Sequence, residues 1–139
     1  MATLSDGMYQ ISVPQESLLS VLELNEGAPL RLLPPDWEAR QQWQVHRTDN
    51  DTYTIREGNT GLYVGFEGDP DPYEAARGYP KAREWQLTAG EVPNTIIIGV
   101  PGTELRLAES PLRIYPPFVA LTTPSSPDYH QTWTFRSVE

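Results

Sequence analysis

Three tryptophans recur at near-equal distances along this chain of 139 residues, at positions 43, 85 and 133. Polar and apolar side chains alternate after each of them, as in Trp43-Gln44-Val45, Trp85-Gln86-Leu87 and Trp133-Thr134-Phe135. Alternation with a period of two is typical of a β-strand with one buried face. A repeat of this length constrains the whole architecture, because each unit must bury its apolar face against the others. The sequence therefore predicts three similar units, at about 1–47, 48–90 and 91–139.

Each unit also begins with an apolar strand. A leucine follows the first apolar residue that we assign to that strand, at the same distance in all three units. The pairs are Tyr9 and Leu18, Tyr53 and Leu62, and Ile96 and Leu105. We interpret the three leucines as equivalent positions of the next strand. Segments 28–35 and 110–117 also echo each other, with Leu-Arg and a final Pro-Pro in both, whereas the middle unit has only Gly78-Tyr79-Pro80. The echo predicts that the two segments occupy equivalent places.

Each unit holds about four short strands separated by Gly, Pro, Asn and Asp turns. No helical pattern is long enough to predict an α-helix. The chain has 14 prolines and 10 glycines, as expected for turn-rich β structure. Twelve strands in three units predict an all-β protein with the β-trefoil architecture. In that architecture six strands close a barrel and six form capping hairpins. Because a single hairpin is marginal in water, residues 1–139 are predicted to form one domain.

Charge and composition exclude several partners. The net charge is −9 and the 10 basic residues are spread along the chain, so phosphate backbones and anionic membrane surfaces would be repelled. No apolar run approaches the roughly 20 residues that span a bilayer, and the N-terminus lacks the pattern of a secretory signal. Zero cysteines fit a reducing compartment. We expect a cytoplasmic monomer that binds neither nucleic acid nor membrane.

The residues that catalysis or metal binding needs are sparse. There is no cysteine, and the two histidines, His46 and His130, accompany no nucleophile motif. The acidic clusters 49–51 and 69–71 are typical of turns and lack the spacing of a calcium loop. The sequence therefore predicts no enzyme activity, no cofactor and no metal. Binding through loops remains, and prolines beside those loops favour preformed backbones.

Several segments resemble the mushroom β-trefoil protease inhibitors. They are Leu4–Ile11, the Leu-Arg-Leu-Leu-Pro-Pro run at 30–35, the Gln41-x-Trp43 strand and the closing Trp133-Thr134-Phe135. The cospin family of serine protease inhibitors is the most similar, and the clitocypin and macrocypin families are more distant. The resemblance implies fungal origin, a role in defence, and insertion of the loop between the second and third strands into a protease cleft. In this chain that protease-binding loop is Asn25, Glu26, Gly27, Ala28 and Pro29.

This loop departs from a trypsin inhibitor, because it offers no Arg or Lys for the acidic S1 pocket of trypsin. The alternative reactive residue is Arg77, before Gly78, which we place in a long loop bounded by prolines. Arg47 ranks below it because its surroundings are acidic. The clitocypin resemblance further implies cysteine protease inhibition through loops 14–17 and 34–40, the second of which carries Trp37.

A lectin is the alternative function. Gln41-x-Trp43 and Gln131-x-Trp133 match the Gln-x-Trp repeat of ricin-B-like trefoils, and Arg83-x-Trp85 departs from it at the first position. The sugar sites of those lectins imply an early Asp, an exposed aromatic residue and an Asn in each repeat. The nearest approach to that set is Tyr63, Phe66 and Asp69. Protease inhibition is the main expectation, with glycans as the alternative partner.

Overall fold

The computed structural model describes residues 4–13, 17–23, 25–35, 40–110, 116–124 and 131–138. These residues form β-strands and turns and contain no helix, which confirms the all-β prediction. The strands, in chain order, are β1 (Gly7–Ser12), β2 (Leu18–Val21), β3 (Ala28–Leu33), β4 (Trp43–Arg47), β5 (Tyr53–Glu57), β6 (Tyr63–Gly65), β7 (Arg77–Tyr79), β8 (Gln86–Ala89), β9 (Ile96–Gly99), β10 (Arg106–Glu109), β11 (Val119–Thr122) and β12 (Thr134–Ser137).

Six strands pair in a closed ring. Strand β1 pairs with β4 and β12, β4 pairs with β5, and β8 pairs with β9, all antiparallel. Two single bridges complete the ring, Tyr53 with Trp85 between β5 and β8, and Ile96 with Trp133 between β9 and β12. Closure removes the free edges that an open sheet would expose.

The other six strands form three hairpins over one end of the barrel. They are β2–β3, β6–β7 and β10–β11. The hairpins contact one another through the pairs Ala28–Gly78, Arg31–Phe118 and Ala75–Ala120. A six-stranded barrel closed by three hairpins is a β-trefoil, as the sequence predicts.

Each repeated tryptophan ties the barrel to a capping hairpin in the same way. Its backbone pairs with the opening strand of its repeat, at Tyr9, Tyr53 or Ile96. Its buried indole Nε1 donates a hydrogen bond to a carbonyl oxygen of the second strand: Trp43 to Leu19 at 2.9 Å, Trp85 to Val64 at 3.0 Å and Trp133 to Leu107 at 3.0 Å. The core between barrel and cap is one apolar cluster that includes all three indoles.

The prediction that the three leucines are equivalent is wrong by one residue in the second and third repeats. Ser12 pairs with Leu18 in the first repeat, whereas Arg56 pairs with Tyr63 and Gly99 with Arg106. Leu18 is therefore equivalent to Tyr63 and Arg106, because the turn of the first repeat is one residue shorter. Leu62 and Leu105 lie just before their strands, where their carbonyl oxygens accept hydrogen bonds from Glu57 and Val100.

The echo between 28–35 and 110–117 does not mark equivalent places either. Register places Leu33 opposite Leu18, Tyr79 opposite Tyr63 and Thr122 opposite Arg106. The counterpart of β3 in the third repeat is therefore β11, which begins at Val119, after the echoing segment. Residues 111–115 of that segment lie outside the described residues. The fainter match, Gly78-Tyr79-Pro80 with Leu32-Leu33-Pro34, is the one that the fold uses.

We predict that Trp43→Phe, Trp85→Phe and Trp133→Phe destabilise the fold to a similar extent. Each removes the indole N–H and leaves a core carbonyl without its donor, which costs about 1 to 3 kcal/mol before any cavity is counted. Urea unfolding monitored by circular dichroism measures the loss. The control is Val92→Ala, since Val92 is 62% exposed and its truncation should change stability by less than about 0.5 kcal/mol. A tryptophan whose replacement costs no more than the control would contradict the equivalence of the three indoles.

Candidate functional site

An open recess of about 830 Å³ lies on the surface of the second repeat. Its walls come from the hairpin β6–β7, from segment 80–84 that leads to Trp85, and from Val100 and Pro101 of the third repeat. Glu26, from the turn before β3, also lines it. Three repeats thus contribute to one concave surface, which is the usual shape of a ligand site.

The aromatic surface of this recess is Tyr79, at the end of β7. Tyr79 is partly exposed, whereas its counterparts Leu33 and Thr122 are buried. Gly65 on the neighbouring strand leaves space for the ring, because a Cβ there would lie 3.1 Å from Tyr79 Cδ2. The second repeat therefore presents an aromatic ring where the other two repeats continue their cores.

Arg83 forms a second distinctive feature of the recess. The equivalent residues Gln41 and Gln131 use their side-chain amides to bond backbone carbonyls, of Pro34 at 2.8 Å and Thr123 at 2.9 Å. The Arg83 guanidinium instead lies 3.8 Å from the centroid of the Phe66 ring. Phe66 is buried and packs edge-to-face against Trp85. Arg83 is thus held by stacking, and the second repeat has no counterpart of the hydrogen bond that the glutamine makes in the other two repeats.

Further polar groups surround the ring of Tyr79. Burial raises the pKa of the Tyr79 hydroxyl, and the negative charge of Glu67 adds to the effect, so this hydroxyl stays protonated near neutral pH. Hydrogen bonds from Thr52 and then Asn50 lower the pKa of Glu84, which keeps its carboxylate ionised. Lys81 and Glu26 are exposed at the lining. The recess can therefore accept and donate hydrogen bonds around an aromatic face.

The predicted protease-binding loop is shorter than the sequence indicates. Ala28 and Pro29 belong to β3, and Ala28 is buried, so only 25–27 form an exposed turn. Gly27 adopts a φ of 83°, a conformation that favours glycine. Its N–H donates to the carbonyl of Gly78 at 2.8 Å. These contacts place the turn beside β7 and bring Glu26 to the recess.

The prediction that Arg77 is an exposed loop residue is also wrong. Arg77 is half-buried in β7 and pairs with Pro29, while Gly78 pairs with Ala28. Its Nη1 donates to the carbonyl of Gly27 at 3.0 Å. The segment that the sequence suggested to be a long loop contains β7, which lies beside β3. The Arg77 guanidinium therefore stabilises the turn at 25–27. The two predicted reactive segments are therefore neighbours in the fold.

The other residues that the sequence suggested as functional lie away from the recess or contact neighbouring side chains. Arg47 pairs with Asp51, and His46 Nδ1 lies 2.7 Å from an oxygen of Asp6. The hydrogen bond from the Arg47 backbone N–H lowers the pKa of Asp6. Tyr63 lies under the Arg56 guanidinium at 5.5 Å, and Asp69 is exposed.

Some predictions fall on residues 14–16, 36–39 and 125–130, including Trp37 and His130, which lie outside the described residues. In the described ranges, no group of three or more His, Asp or Glu side chains is placed to hold a metal ion. The same part of the chain contains no helix long and apolar enough to cross a membrane.

Sequence reasoning missed Tyr79 as a site residue and treated Arg83 only as a departure from a motif. The signals were present in the weak Gly78-Tyr79-Pro80 match and in the single Arg among the residues two before each tryptophan. Of the three residues proposed as the nearest lectin set, only Phe66 lines the recess.

The fold has similar solved structures. The Macrolepiota procera ricin B-like lectin, in complex with lactose, has a TM-score of 0.84 and 23% identity, over 98% of this chain and 99% of the lectin. The Rhizoctonia solani agglutinin has a TM-score of 0.84 and 17% identity, over 99% of each chain. The Polyporus squamosus lectin, bound to a sialylated epitope, has a TM-score of 0.79 and 18% identity, over 96% of this chain and 50% of the lectin.

These TM-scores establish a shared fold. No protein-family model matches the sequence, and no curated protein matches it. The class defined by fold and site is a β-trefoil with a surface recess in its second repeat, and the similar structures named above are lectins of the same architecture.

We predict that Thr52→Val raises the pKa of Glu84 toward its ordinary value near 4.5, because the variant removes the first of the hydrogen bonds to the carboxylate. A carboxylate with a lowered folded-state pKa favours folding above its unfolded pKa, and this contribution disappears as pH falls through the folded-state pKa. The variant should therefore lose less stability on acidification. Carboxyl ¹³C titration by NMR measures the shift. Thr54→Val makes the same change on β5, and an equal shift there would contradict the assignment.

Proposed function

We propose that this protein binds carbohydrate through the recess of the second repeat. The observation that carries the proposal is Tyr79, an aromatic ring set in a concave surface among carboxylate, ammonium and guanidinium groups. The similarity of the whole fold to that of lectins supports the same proposal. One of those lectins was solved with lactose and another with a sialylated epitope.

The chemistry of the lining suits a sugar ring. One face of many pyranose rings is apolar and carries C–H groups, which pack on the electron-rich face of an aromatic residue. Sugar hydroxyls both donate and accept hydrogen bonds, so carboxylates such as Glu26 and Glu84 accept from them while Lys81 donates to them. Few polar groups around an apolar surface are the usual means of orienting a small ligand.

We expect Tyr79→Ala to weaken glycan binding by about 30-fold, since loss of a central aromatic contact costs about 2 kcal/mol. Isothermal titration with glycans selected on an array measures the change. Gly65→Val should have a similar effect, because the added side chain would displace the Tyr79 ring.

Tyr73→Ala is the matched control. Tyr73 is 54% exposed but does not line the recess, so its truncation should leave affinity unchanged within about twofold. Equal losses for Tyr73→Ala and Tyr79→Ala would move the site away from the recess. Failure of the wild-type protein to retain any glycan would refute the proposed function.

Protease inhibition is the second candidate, and one observation favours it. The turn at 25–27 is held by the Gly27–Gly78 and Arg77–Gly27 hydrogen bonds, and it presents the exposed side chains of Asn25 and Glu26. A restrained and exposed turn is what a substrate-like inhibitor needs, because the free loop loses little entropy on binding. Glu26 is the acidic residue that a Glu-specific serine protease would take in its S1 pocket.

For inhibition through this turn we expect stoichiometric loss of a Glu-specific serine protease activity, restored by Glu26→Ala. Trypsin, chymotrypsin, papain and legumain complete the panel and test the other classes. Glu67→Ala is the control, since Glu67 is also exposed but lies outside the turn. Full activity of every protease in the presence of excess protein would refute inhibition and leave the glycan proposal standing.

A further inference from the structure

We infer that the recess prefers a glycan with a single negatively charged group, a carboxylate or a sulfate, and that the Arg83 guanidinium binds that group. The inference rests on the proposed carbohydrate binding and specifies its ligand. The residue two before the repeated tryptophan is an arginine only in the second repeat.

Arg83 differs in its hydrogen bonding from the equivalent residues of the other two repeats. Gln41 and Gln131 each use an amide N–H to bond a backbone carbonyl within their own repeat. Arg83 makes no such bond, and its guanidinium points to no carboxylate within the described ranges. Replacement of a structural glutamine by a cation without a protein partner leaves donors that a ligand can use.

Arg83 also differs from two other arginines that stack on aromatic rings. Arg31 lies over Phe118 and donates to the carbonyl of Pro116, and Arg56 lies over Tyr63 and donates to the carbonyl of Gly61. Among the three arginines stacked on rings in the described part of the chain, Arg83 alone donates no hydrogen bond to the protein. The ring of Phe66 occupies one guanidinium face, so the N–H edge remains for the oxygens of a carboxylate or a sulfate.

No carboxylate of the described residues forms an ion pair with Arg83. Glu84 instead accepts hydrogen bonds from Thr52 and Asn50, the latter at 3.3 Å. Glu26 lines the same recess and forms no ion pair in the described residues. Lys81 adds a second cation to the lining, without an ion pair in the described residues. The recess therefore offers cations for an acidic group and carboxylates for sugar hydroxyls.

The charge of the whole protein limits the ligand to few anionic groups. With a net charge of −9, the molecule repels polyanions at long range. A single acid on an otherwise neutral oligosaccharide avoids most of this repulsion and still forms charge-assisted hydrogen bonds with Arg83. A sulfated or uronic acid polymer would be disfavoured.

The test compares matched ligands on the intact protein: one neutral oligosaccharide, the same oligosaccharide with a terminal sialic acid, and the same with one sulfate. We expect the wild-type protein to bind one acidic form about tenfold tighter than the neutral form, as a charge-assisted bond implies. Which acidic form is preferred decides between carboxylate and sulfate. Rising salt should reduce the preference.

Arg83→Gln restores the residue found in the other two repeats, and it should abolish the acidic preference while neutral binding persists. Arg83→Lys keeps the charge without the planar fork and should retain part of the preference. Arg56→Gln removes an equivalent stacked arginine outside the recess and should bind like wild type. Thermal unfolding confirms that each variant is folded.

Two results overturn the inference alone. They are equal wild-type binding of neutral and acidic forms, and an acidic preference that survives Arg83→Gln. In both cases binding of the glycan still supports the proposed function. Absence of binding to any of these ligands and to a broad glycan array would refute the proposed function and, with it, this inference.

Discussion

Three indole N–H groups connect the barrel of this fold to its capping hairpins. Each tryptophan pairs by its backbone with the barrel and donates its Nε1 hydrogen to a carbonyl of a capping hairpin, at 2.9 to 3.0 Å. All three side chains are buried, so the bonds form where an unpaired donor would be costly. The same contact made three times aligns the cap on the barrel, and the surface features depend on that alignment.

A frame fixed in this way permits the repeats to differ at positions the core does not use. Leu33 and Thr122 are buried where Tyr79 is partly exposed, and Gln41 and Gln131 bond the backbone where Arg83 stacks on Phe66. Gly65 leaves the space that the Tyr79 ring occupies. The recess therefore arises from departures from the threefold pattern, which a rigid barrel accommodates without loss of its core.

The sequence predicts the frame well, because burial imposes a period that is visible in the residues. Trp43, Trp85 and Trp133 lie where the pattern places them, and their backbones pair with Tyr9, Tyr53 and Ile96. Prediction fails where turn length changes the register. The leucine spacing shifts by one residue because the turn between β1 and β2 is shorter than its counterparts, and the echo at 110–117 precedes β11, which is the counterpart of β3.

By itself, the sequence determined the class of fold, the number of repeats and the repeated apolar positions of the core, since a threefold apolar pattern has few ways to be buried. Only the tertiary structure decided which residues meet at the surface. Arg77 supports the turn at Gly27 from a strand, and Glu26 joins Tyr79 and Arg83 across the boundary between repeats. Such contacts depend on register and turn length between distant segments, and no local pattern in the chain encodes them.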